Sequence, residues 1–150
     1  MEEHDYINYP ELTNSQLETE RFTSPHEQIE NDFYATVVKV HDGDTLTLQV
    51  PFRDFNFPLR FLDIDAPELN AGGEASRDWL KGKIEGKDVQ IKIDPKNRVE
   101  KYGRLLGRVF YLGMDLGQEE VYLGLAKPFT QREEGKIPAA EKLFSMKQWF

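Results

Sequence analysis

Three short segments gather charged side chains where turns and strand ends are expected: His41-Asp42-Gly43-Asp44-Thr45, Arg60-Phe61-Leu62-Asp63-Ile64-Asp65-Ala66-Pro67-Glu68 and Lys101-Tyr102-Gly103-Arg104. Taken singly, the first is a hairpin turn, the second a strand end with solvated charges and the third an exposed basic loop. Taken together they make one chemical set. Asp44 and Asp65 offer hard oxygen ligands suited to Ca²⁺ or Mg²⁺, and a backbone carbonyl at the Ala66-Pro67 kink can add another. So few protein ligands predict weak, exchangeable binding. Arg60 and Arg104 each present a planar fork of N–H donors that matches phosphate oxygens. Glu68, near the cation but not bound to it, can take a proton from an attacking water. The set fits phosphodiester hydrolysis, in which negative charge grows on the phosphoryl oxygens and fixed positive groups stabilise it.

Other chemistries lack their residues. The chain has no cysteine, which removes disulfides, thiolate metal sites and thiol catalysis. His4, His26 and His41 show no metal-ligand spacing, and there is no nucleophile elbow, P-loop or dinucleotide fingerprint.

Positioning these groups requires a mainly β scaffold. Residues 33–40 read as a strand, Asp42-Gly43 as a turn, and Leu46, Leu48 and Val50 as the inward face of a second strand paired back on the first. Residues 57–64 make a third strand. Residues 74–84 are helical, with Ala75/Trp79 and Leu80/Ile84 at i, i+4. Residues 89–93 and 104–111 supply two more strands, and residues 116–125 and 138–149 two more helices. Five strands with a helix between the third and fourth suit an α+β fold: a closed five-stranded barrel of the OB type with about three helices outside. Strict alternation would place Arg60 and Asp65 on opposite faces, so a bend near residues 63–65 is required.

The motifs VHDGDTLTL, LRFLDIDAPE, GGEAS, EKYGR and GLAK, in this order between residues 33 and 127, resemble the staphylococcal nuclease (thermonuclease) family. The resemblance implies an OB-fold barrel and Ca²⁺-dependent hydrolysis of DNA and RNA that leaves 3′-phosphate ends. By position it makes Asp44, Asp65 and the Ala66 carbonyl the calcium ligands, Glu68 the general base, and Arg60 and Arg104 the catalytic arginines. Asp42 takes the place of an outer acid, and Lys101 and Tyr102 that of groups near a terminal phosphate. Three positions depart from the family pattern. Pro128-Phe129-Thr130 stands where tyrosines flank a base, Asp63 where a small or apolar residue is usual, and the terminal helix is shorter. The alternative function is a catalytically silent module of the same fold that binds nucleic acid or protein.

The net charge of −8 is unevenly spread. Residues 1–32 carry nine acids against Arg21, leaving 18 acids and 18 bases in residues 33–150. The body is neutral, which permits a phosphate-bearing partner. The leader, 1–32, is expected to be a disordered or loosely docked acidic extension, with solubility or phosphate mimicry as its roles. The nuclease domain is expected over 33–150. Single-stranded DNA and RNA are the expected partners, since unpaired strands need no unwinding. A monomer is expected, with no membrane association. The first residues show no basic start followed by an apolar stretch, so a cytoplasmic setting is expected, or a secreted one if the chain is a processed form.

Overall fold

The computed structural model describes residues 10–13, 27–100 and 103–129. Strand β1 (Phe33–Asp42) turns through Gly43-Asp44 into β2 (Thr45–Gln49), which pairs antiparallel with β3 (Phe57–Phe61). On its other side β1 pairs with β5 (Asp88–Lys92), and β5 with β6 (Leu105–Tyr111). A parallel pairing of β3 with β6 closes the ring, giving the mixed five-stranded barrel expected from the strand pattern. Two-residue strands β4 (Ile64–Asp65), β7 (Met114–Asp115) and β8 (Lys127–Pro128) decorate it. Two register shifts bend β1, at Val37/Lys39 and Val40/Asp42, as a strand wrapping a small barrel requires.

Alternation fills the barrel: Val37, Val40, Leu46, Leu48, Leu59, Phe61, Ile91, Leu105 and Val109 are buried inside. Helix α1 (Glu74–Ile84) adds Leu80 and Ile84 to this core, and α2 (Leu116–Tyr122) adds Leu116. Both helices press on the β1–β2 turn. A Cβ on Gly43 would lie 2.6 Å from Ser76 Oγ of α1 and 2.7 Å from Glu120 Oε1 of α2, so only glycine fits there.

Two boundaries differ from the sequence reading by more than two residues. The third strand does not run unbroken to Ile64: pairing on β3 ends at Phe61, and Asp63 turns the chain with φ +73°. An aspartate tolerates this left-handed conformation better than the branched residues around it. The chain resumes as β4, paired with β8 rather than with the barrel. The second helix stops at Tyr122 instead of Leu125, because Gly124 takes φ +76° and its N–H turns back to the Val121 carbonyl. The helix expected over residues 138–149 lies outside the described residues.

Candidate active site

The bend at Asp63 does what the spacing demanded. Arg60 leaves β3, the chain reverses its facing over three residues, and Asp65 returns to the same side, its Oδ1 3.2 Å from Arg60 Nη2. Arg60 Nη1 pairs with Asp44 Oδ2 across β2–β3, where Thr45 sits opposite Arg60. One guanidinium therefore bridges the two aspartates singled out as cation ligands.

Asp44 is fixed from all sides. Its backbone N–H donates to Asp42 Oδ1 (3.0 Å), and the Phe61 N–H donates to its carbonyl (2.8 Å). Its Oδ1 accepts from Thr45 Oγ1 (3.0 Å) and its Oδ2 from the Ala66 N–H (2.8 Å). Ala66 thus enters the cluster through its amide. Burial, aided by Asp42, pushes the Asp44 carboxyl up to about 6, against the opposing pull of Arg60. Asp65 is more open, its side chain 49% exposed.

Glu68 and Arg104 form no hydrogen bond or ion pair with this cluster. Glu68 is exposed just past Pro67, where its carbonyl accepts the N–H groups of Ala71 and Gly73 at 2.9 Å. Arg104 lies at the entry to β6, held by Glu100. Since Leu106 is opposite Arg60, two residues of strand and one strand spacing separate the Arg60 and Arg104 backbones by about 8 Å. Lys101 and Tyr102 lie outside the described residues.

Asp63 does not crowd these carboxylates. Its Oδ2 takes two N–H groups of Arg108, one at 3.0 Å from Nε. The segment expected to depart from a base-stacking site is tied down as well: Pro128 is in β8, and the Phe129 N–H donates to the Asp63 carbonyl at 2.7 Å. Thr130 lies outside the described residues.

A protein-family model described as "Staphylococcal nuclease homologue" matches residues 58–148. The chain belongs to the staphylococcal nuclease family. The matched stretch carries Arg60, Asp65, Ala66, Glu68 and Arg104, while Asp42 and Asp44 precede it and join the site through Arg60 and the Ala66 amide. In this nuclease-family member one site residue escaped the sequence reading. Glu120 on α2 is fully buried beside the Gly43 turn, and neither carboxylate oxygen has a hydrogen-bond partner. Burial, reinforced by Asp44 and Asp42, pushes its carboxyl up to about 9, so it is neutral at pH 7. The available signal was an acid four residues after Leu116 on the buried stripe of α2.

Asp42, Asp44 and Asp65 outnumber Arg60, and their oxygens are hard donors, so the chemistry of the set fits a divalent cation. Among the described residues no group of three or more Asp, Glu or His side chains is placed to hold a metal ion. A cation bound by the two aspartates would complete its shell with backbone and water oxygens. No helix of the described residues is long and apolar enough to cross a membrane.

Proposed function

We propose that this chain is a calcium-dependent phosphodiesterase that hydrolyses DNA and RNA, leaving 3′-phosphate ends, and works best on single-stranded or locally opened strands. The observation that carries this reading is the Arg60 guanidinium bridging Asp44 and Asp65, because it puts a bidentate phosphate donor and two hard-oxygen ligands at one point.

Asp44, Asp65 and the Ala66 carbonyl are the groups that would hold the ion, which when bound supplies charge to the phosphoryl oxygens and orients the substrate. The protein's own groups do the rest. The scissile phosphate exchanges places with a carboxylate on Arg60, whose two N–H groups then follow the charge that develops in the transition state. Glu68 accepts a proton from the attacking water, whose oxygen bonds to phosphorus as the bond to the 5′-oxygen breaks. Arg104 stabilises the departing 5′-oxygen, which takes its proton from solvent. The phosphate remains on the 3′ side.

The test uses denatured DNA and RNA with Ca²⁺ or with a chelator. Calcium-dependent fragments, lost in Arg60→Ala and in Glu68→Gln, support the enzyme. Strand binding without cleavage in any metal would instead assign a catalytically silent binding module.

A further inference from the structure

A second cluster of charged groups shares no residue with the Asp44 site and joins the acidic leader to the barrel. Glu11 is fully buried. Its Oε2 accepts from Arg98 Nη1 (2.8 Å) and from the Ile29 N–H (3.0 Å), and its Oε1 pairs with Arg53 Nη2. The same two arginines also grip the leader's backbone: Arg53 Nη2 reaches the Glu27 carbonyl (2.6 Å), Arg98 Nη1 the Ile29 carbonyl (2.8 Å), and Arg98 Nη2 the Leu12 carbonyl. Gln28 stitches the two leader pieces together, donating to the Pro10 carbonyl at 3.1 Å and accepting from the Leu12 N–H. Leu12 and Ile29 are buried with Glu11.

Arg98 is the root of the loop that presents Arg104. Its carbonyl accepts the Leu106 N–H (2.9 Å), Val99 bridges Leu105, and Glu100 and Arg104 face each other through a backbone bond of 2.9 Å and an ion pair. We infer that residues 10–13 and 27–30 form a clasp in which Glu11 is a positioning residue, holding Arg98 and Arg53 together and thereby fixing the 98–104 loop that carries Arg104. The catalytic part of this inference rests on the proposed role of Arg104; the mechanical part does not. With Glu11 neutralised, two guanidiniums face one buried point with no anion between them, and their repulsion loosens the loop at its root.

The experiment compares the full chain with Glu11→Gln by native-state hydrogen exchange and by hydrolysis of denatured DNA in Ca²⁺. The Glu100, Gly103 and Leu106 amides should exchange about tenfold faster in Glu11→Gln, while Val37 in the barrel stays protected. Turnover should fall about fivefold at constant KM, and by less than about twofold when Arg104→Ala is already present. Glu11→Asp, which keeps the charge, should restore most of the protection. Unchanged loop exchange would overturn the clasp. So would an equal loss of turnover with and without Arg104, or higher turnover in Glu11→Gln, which would make the leader a plug. Global unfolding of both variants would overturn it too, since the effect would not be local to the loop. A wild-type chain that cleaves nothing would refute the nuclease reading and leave exchange to decide the clasp.

Discussion

Two arginine–carboxylate clusters in this protein use the same groups in opposite proportions. At the leader, one carboxylate serves two guanidiniums, both of its oxygens are used, and Glu11, Arg53 and Arg98 are all buried. At the β1–β2 turn, one guanidinium serves two carboxylates, with Asp42 adding a third acid, Glu120 buried and neutral beside them, and Asp65 half open to solvent. The first arrangement is sealed, and nothing can be exchanged without breaking it. The second has surplus negative charge that a cation would neutralise and an arginine that a phosphate can take from its partners. Stoichiometry and access, rather than residue type, separate a fastener from the proposed reactive centre.

The sharpest way to break this contrast is to cut each cluster at its centre. Glu11→Ala leaves two buried cations unpaired and should cost about 3–5 kcal/mol of stability, read from the denaturant midpoint. A loss below about 1 kcal/mol would place the leader cluster among ordinary surface pairs. Arg60→Ala should instead lower turnover on denatured DNA by about 10²–10³-fold, the scale for removing a transition-state donor, with the barrel intact by circular dichroism. Asp44 tolerates the loss because its buried carboxyl, already raised, shifts further toward the protonated form once the pull of Arg60 is gone.

The next effect sharpens the acidic side of the comparison. Glu120 titrates at about 9 when folded and at 4.5 when free, so the folded state holds the extra proton between those values. Its contribution is fully present below pH 4.5 and is lost as pH rises toward 9. In chelator, stability should therefore fall between pH 7 and 8.5 by roughly 1.4 kcal/mol per pH unit, and Glu120→Gln should flatten the slope. This window lies above the range of Asp44 and of His41, whose pKa burial lowers from 6.5. Equal slopes in the two proteins would remove Glu120 from the account.

The smallest effect concerns the bend. Asp63→Ala should cost about 1 kcal/mol more than Asp63→Gly, since both lose the half-exposed pair with Arg108 but only alanine is strained at φ +73°. Matching melting curves would mean that the backbone there relaxes freely.

The barrel was legible because its strands alternate cleanly and their turns carry Asp-Gly and Pro: Leu46 and Leu48, and Val89 and Ile91, point inward as their spacing requires. Helix α1 appears over residues 74–84 as its i, i+4 pairs predict. The need for a bend between Arg60 and Asp65 was legible too, since two-residue periodicity forbids their meeting otherwise. Its form was not, because the left-handed aspartate and the β4–β8 pairing depend on a partner more than sixty residues away. The same holds for Glu120 and Glu11, whose neighbours come from distant segments. A glutamate in a helix or in an acidic leader reads as solvated until tertiary structure buries it.

Turnover of denatured DNA by the wild type, Arg60→Lys and Arg60→Ala decides whether the Arg60 site acts on phosphodiesters with calcium. The expected result is calcium-dependent cleavage by the wild type and a large loss in Arg60→Ala, with lysine failing to restore turnover because a point charge cannot replace the two-pronged fork. Equal turnover in all three proteins, or a rate indifferent to calcium, would contradict it.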